Sequence, residues 1–317
     1  MSLGPLVPMP TSRRQVLAGA AGLGAMAALP GAAAAAAAQG AVMTRPIPRS
    51  GEPLPVVGIG TAIIFDFQND PAKFAERRQV LQQLVAGGGK LIDTAPSYGN
   101  AEVVVGDLTA DLGIRDRLFL ATKVPAQAPR DQKETSLAAS LQRMKVSRLD
   151  LMQAWNVSDA NLDLAQLRDW KAQGKCRYWG VTSSFDAAYP AIEQVLRREK
   201  PEFFQINYSL GDREAEERLI PAARDAGAAV LTNLPFGRNS MFAKVRGRPL
   251  PDWAAEIDAT SWAQVFLKFL ISHPAVTAVI PGTDKPEYMI DNLGAGRGRL
   301  PDAAMRKRIV DFWSTVA

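Results

Sequence analysis

The sequence predicts a single-domain (β/α)8 TIM barrel of the α/β class, with one extra helix at its C-terminus. Three observations lead there. Eight short apolar runs follow residue 50, longer amphipathic stretches separate them, and the glycine fingerprint of an open dinucleotide-binding sheet is missing after the first run.

The runs expected to be strands are Pro55–Gly60, Lys90–Thr94, Leu118–Val124, Leu149–Trp155, Arg177–Ser183, Phe203–Tyr208, Ala228–Leu234 and Val276–Gly282. Helical periodicity falls on Ala72–Ala86, Ala101–Leu112, Gln132–Met144, Leu164–Gln173, Ala187–Lys200, Glu214–Ala226 and Trp262–Ser272. Ala303–Trp313 supplies the extra helix. An open doubly wound sheet is the competing architecture. Val57-Gly58-Ile59-Gly60-Thr61 has no third glycine and no helix start behind it, which favours the barrel.

At 317 residues, 47% hydrophobic and 22% charged, the chain can bury a core without covalent staples. A lone cysteine, Cys176, excludes an internal disulfide, and one cysteine with one histidine, His273, leaves no familiar metal cluster. The net charge of +5 is mild and partly sits in the leader, so no nucleic-acid partner is expected.

Residues 1–38 read as a cleavable targeting segment, and 39–317 as the barrel. Arg13-Arg14 precede a weakly apolar, Ala- and Gly-rich stretch, and Ala36 and Ala38 supply the small residues of a cleavage site. This resembles a twin-arginine signal, which implies the twin-arginine export machinery as a partner and a periplasmic, bacterial location. That route carries folded proteins, so a cofactor can be loaded before export. The stretch is too poor in Leu and Ile for a stable membrane anchor.

In a barrel the chemistry collects at the C-terminal ends of the strands. The second run closes with Asp93 and leads to Tyr98, and the third closes with Lys123. A buried lysine held by an aspartate stays charged, and a cation beside a phenol favours loss of the phenolic proton. Tyr98 is thereby a candidate proton donor to a carbonyl oxygen that receives hydride. Singly, each residue has a plainer reading: Asp93 as a helix cap, Lys123 as a solvated charge, Tyr98 as packing.

Together with Gly99-Asn100-Ala101-Glu102, Gly180-Val181-Thr182-Ser183, Gln205-Ile206-Asn207-Tyr208 and Ile280-Pro281-Gly282-Thr283 followed by Asp291-Asn292, these residues resemble the aldo-keto reductase family. The resemblance runs from about Val56 to Asn292. It implies reduction of a small-molecule carbonyl substrate, an aldehyde or ketone, by NADPH, with Tyr98 as general acid, Lys123 as its partner and Asp93 positioning the lysine. It implies Thr182, Ser183 and Gln205 at the nicotinamide carboxamide and Leu234, Phe236 and Gly237 along the pyrophosphate. Gly282, Thr283, Asp291 and Asn292 fall at the adenosine end, and Gly60 and Thr61 are counted with the cofactor residues.

The chain departs from the family in three places. Trp155 stands where the catalytic histidine belongs, and His273, just before the last strand, is at the wrong end of the barrel to replace it. Trp155 either narrows the pocket for a flat substrate, leaves a slow enzyme, or is a bulky rim residue without a catalytic role. Asn233, followed by Leu234-Pro235-Phe236, stands where many members carry a stacking tyrosine after the seventh strand. Gly282 and Tyr288 occupy the positions of the usual 2′-phosphate clamp, leaving Lys285 or Arg238 to supply charge, with NADH as the alternative cofactor. A second functional reading follows: a nicotinamide-cofactor-binding redox sensor or interaction protein with vestigial catalysis. Substrate choice is expected to lie in the loops Ile63–Pro71, Pro125–Asp131 and Arg238–Asp252.

Overall fold

The computed structural model describes residues 40–316; the targeting segment expected over 1–38 lies outside the described residues. Eight parallel strands form one sheet in strict sequence order: β3 (Ile59–Gly60), β4 (Leu91–Asp93), β5 (Phe119–Pro125), β6 (Leu149–Trp155), β7 (Cys176–Ser183), β8 (Phe203–Asn207), β9 (Ala229–Asn233) and β10 (Val276–Val279). The sheet closes on itself through parallel bridges joining Val57 to Val279 and Gly60 to Gly282. The Gly60 N–H donates to the carbonyl of Pro281 (3.1 Å). Gly60 is required at this seam, because a Cβ there would stand 2.9 Å from the Ile280 carbonyl oxygen.

The helices lie outside the strands. They are α1 (Pro71–Ala86), α2 (Ala101–Asp111), α3 (Arg130–Arg143), α4 (Ala165–Ala172), α5 (Tyr189–Glu199), α6 (Leu219–Asp225), α7 (Ser240–Lys244), α8 (Trp262–Ile271), α9 (Pro286–Gly294) and α10 (Ala303–Val316). Asp70 caps α1 by accepting from the Lys73 N–H, and Ser261 caps α8 by accepting from the Gln264 N–H. The C-terminal α10 buries Met305, Ile309 and Trp313. Trp313 meets Phe266 of α8 edge-on, so this helix covers the barrel's flank. Among the described residues no helix is long and apolar enough to cross a membrane.

Three of these elements were not foreseen. A short antiparallel hairpin, β1 (Thr44–Pro46) with β2 (Pro53–Pro55), precedes the barrel, so the expected first strand is cut to Ile59–Gly60. The hairpin packs Ile47 and Leu54 against the barrel's inward residues Leu91, Phe119, Leu151, Tyr178 and Phe203. Tyr178 donates to Ser50 Oγ (2.8 Å) or Glu52 (2.6 Å), and Arg45 donates to the carbonyls of Ile271 (2.6 Å) and His273 (2.7 Å), beneath β10. The hairpin thus stoppers the lower end of the barrel. The others are the five-residue α7 and α9, whose first residue Pro286 suits an N-terminal turn.

The inward side chains alternate with period two and change character on the way up. Leu91 gives way to Asp93, Ala121 to Lys123, Leu151 to Gln153, Phe203 to Gln205, and Leu231 to Asn233. An apolar lower core therefore carries a polar upper layer.

Candidate active site

Lys123 enters that layer almost completely buried. Its Nζ donates to both carboxylate oxygens of Asp93 (2.8 and 2.7 Å) and to the carbonyl of Thr94 (2.8 Å). Burial works against the ammonium, but the Asp93 carboxylate and the Tyr98 hydroxyl outweigh it and hold Lys123 above its ordinary pKa. Nζ lies 5.2 Å from the centroid of the Tyr98 ring, a cation–π distance. Asp93 is fixed from behind: its backbone carbonyl accepts from both the N–H and the hydroxyl of Thr61, each at 3.0 Å.

The loop bearing Tyr98 is clamped on both sides. Asp66 accepts from the Asn100 N–H and side-chain amide, both at 2.9 Å. Glu102, fully buried, accepts from Thr122 (2.5 Å), Ser140 (3.2 Å) and Arg143 (2.7 Å), tying α2 to β5 and α3. Gly99 sits between these clamps at φ +59°, and a Cβ there would fall 2.2 Å from an Asp66 oxygen. Gly99→Ala is therefore expected to lower stability by about 2 kcal/mol and to displace Tyr98. Denaturant unfolding together with turnover measures this, and an unchanged midpoint refutes the close approach as a constraint.

Tyr98 and Lys123 border a cleft of about 230 Å³ together with Trp155, Thr182, Ser183, Phe185 and Asn233. The larger hollow, about 520 Å³, is bordered only by residues of one loop between Gly211 and Glu217 and holds none of these groups. Trp155 is only partly exposed, and its Nε1 is buried without a partner among the described residues. His273 lies outside the cleft, edge-on to Tyr208, with Nδ1 accepting from the Ala275 N–H (3.2 Å). Burial lowers its pKa.

The cleft wall fits a primary amide such as the nicotinamide carboxamide. Ser183 Oγ accepts from the Phe185 N–H (3.3 Å), which leaves its own hydrogen to donate. Asn207 donates through Nδ2 to the Ser184 carbonyl (3.1 Å), while its Oδ1 is buried and accepts from nothing among the described residues. A carboxamide offers one acceptor and two donors, which these groups complement. Gln205 sits just below with both ends of its amide engaged.

The remaining expected cofactor residues stand on the loops above β9 and β10. Leu234 and Gly237 have φ +50° and +55°, and Phe236 packs on Phe242, ring centroids 4.8 Å apart. Gly282 follows β10, and a Cβ there would make only an ordinary contact with Ile64, at 3.7 Å. Asn292 donates to the hydroxyl of buried Thr283 (2.9 Å), and Asp291 accepts from Ser261 and Gln264 (both 2.7 Å) at the start of α8. Lys285 stands at the N-cap of α9 with its ammonium 5.7 Å from the Tyr288 ring centroid. Sequence reasoning missed Gln153, Asn207 and Phe185 as site residues. The two-residue periodicity of the strands was the signal for the first two.

Comparison with known proteins settles the relationship. A model of the aldo/keto reductase family matches residues 56–309. The chain belongs to this family. Among curated members, the methylglyoxal reductase YeaE of Escherichia coli (strain K12) is 32% identical over 239 residues, spanning 71% of this chain and 80% of that protein. The aldo-keto reductase str7 of Strobilurus tenacellus is 25% identical over 273 residues, 73% and 80% of the respective chains. Among solved members, a Klebsiella pneumoniae aldo/keto reductase in complex with NADP and acetate superposes with TM-score 0.71 at 23% identity, over 86% of this chain and 96% of that one. A thermostable member in complex with the inhibitor epalrestat gives 0.69 at 26%, over 85% and 99%. The family's barrel is the fold seen here.

Proposed function

We propose that this protein reduces small aldehydes or ketones to alcohols with NADPH, and that Tyr98 is the general acid. The observation that carries the reading is the buried Asp93–Lys123 ion pair set against the Tyr98 ring, at the border of a cleft also lined by Thr182 and Ser183. The solved Klebsiella pneumoniae relative with NADP and the Escherichia coli methylglyoxal reductase support the cofactor and substrate class.

Ser183, Thr182 and Asn207 would hold the carboxamide, and Lys285 at the start of α9 would meet the 2′-phosphate. NADPH, when bound, supplies the hydride. The Tyr98 hydroxyl gives its proton to the carbonyl oxygen as charge builds there, and the Lys123 ammonium stabilises the phenolate left behind. Asp93 keeps that ammonium in place. The apolar layer beneath excludes water from below. We further propose that the segment 1–38 directs folded, loaded protein through the twin-arginine route to the periplasm.

The direct test mixes purified protein, NADPH and a panel of small aldehydes, methylglyoxal included, and follows NADPH absorbance with alcohol product. One alcohol per NADPH consumed is expected. Stable NADPH with every aldehyde defeats the reading and supports a cofactor-binding sensor instead.

One observation favours slow chemistry. Trp155 borders the cleft at the position the family gives to a histidine, and its single N–H is buried. Losing an oriented donor typically costs on the order of 10²-fold in rate or more. Trp155→His is accordingly expected to raise turnover on small aldehydes about tenfold or more. An unchanged or lower kcat sinks the idea of a missing donor.

A further inference from the structure

Gln153 lies in the middle of β6, paired with Lys123 on one side and Gly180 on the other, and is fully buried in the barrel. Its Nε2 donates to Oε1 of Gln205. Gln205 in turn donates through Nε2 to Oδ2 of Asp93 (3.2 Å) and Oδ1 of Asn233 (2.6 Å). The chemistry of Asp93 orders this chain of amides. A carboxylate only accepts, so Gln205 must turn its NH2 toward Asp93, and its oxygen then faces Gln153. Gln153 must therefore present its own NH2, which leaves its Oε1 buried without a donor among the described residues. An orphaned buried acceptor costs about 1–3 kcal/mol.

Both N–H groups of Gln205 are engaged, one on Asp93 and one on Asn233 at the cleft. We propose that Gln153 is a positioning residue: it orients Gln205, which holds Asp93 and through it the Lys123 ammonium under Tyr98. This rests on the carbonyl-reduction reading for its catalytic consequence, but not for its structural one. Burial lifts the Asp93 carboxyl above its ordinary range against the pull of Lys123 and then Gln205, so the Gln205 donation is one of the few forces keeping Asp93 ionised.

The test is Gln153→Met, which keeps length and volume and removes the donor. Expected is a fall in kcat of about fivefold to tenfold, with the Kd of NADPH from fluorescence titration unchanged. The acidic limb of kcat against pH moves upward, because Asp93 protonates more readily. Gln205→Met also lowers kcat and moves the acidic limb upward, and adding Gln153→Met to it lowers kcat no further. A carbon-13 NMR titration of the Asp93 carboxyl in the cofactor-free protein gives a readout independent of activity, with titration at higher pH in Gln153→Met. Should that titration and kcat stay where they are in folded Gln153→Met, the assignment is overturned. Wild-type protein inert toward every aldehyde would remove the carbonyl-reduction reading alone, and the NMR titration still decides the relay.

Discussion

Tyr98→Phe is expected to lower the single-turnover rate of NADPH oxidation by about 10²- to 10⁴-fold, the range for losing a positioned general acid. The substitution keeps the ring whose centroid lies 5.2 Å from the Lys123 ammonium, so the packing of the site survives. The Asp66 and Glu102 clamps act on neighbouring residues and are untouched. Stability and the Kd of NADPH should therefore match the wild type, and the loss should appear in the chemical step. Stopped-flow absorbance after mixing the NADPH-loaded protein with an aldehyde separates the two. An undiminished rate in the variant assigns the proton to another donor.

Lys123→Met carries two large effects. The Asp93 carboxylate remains in a site almost closed to solvent, without the cation that compensates it. Breaking a buried pair from one side costs about 3–5 kcal/mol. The pH dependence has a definite sign. Burial already raises the Asp93 pKa, and removal of the ammonium raises it further. A carboxyl with a raised folded-state pKa becomes neutral in the folded protein as pH falls, so the deficit is largest at neutral pH and shrinks toward acid. Denaturant unfolding of the variant and wild type across pH measures it. The double variant Lys123→Met/Asp93→Asn, with no uncompensated charge, should recover much of the stability and none of the activity. A deficit independent of pH would show that the lost lysine acts through packing alone.

Much of the barrel was legible because each strand is a short apolar run and each helix a periodic one. Leu149–Trp155 matches its observed strand at both ends, and α1, α2 and α8 begin or end within a residue of expectation. The hairpin escaped because its strands are three residues long and rich in proline, with Pro46, Pro53 and Pro55 concealing any strand pattern. For the site, Asp93, Tyr98 and Lys123 were visible as polar residues closing apolar strands. The amide chain was not. Gln153 and Gln205 are 52 positions apart, and only closure of the barrel brings their amides into contact. Thr61 reads like a cofactor residue beside Gly60, yet both of its donors are spent on the Asp93 carbonyl, a backbone partner that no motif records.

The stoppered lower end has a kinetic consequence. With Ile47 and Leu54 sealing the cylinder from beneath, reactant, product and nucleotide all share one doorway. Reactant and product therefore pass the same rim, where Tyr98 and Lys123 stand, so one must leave before the next can enter.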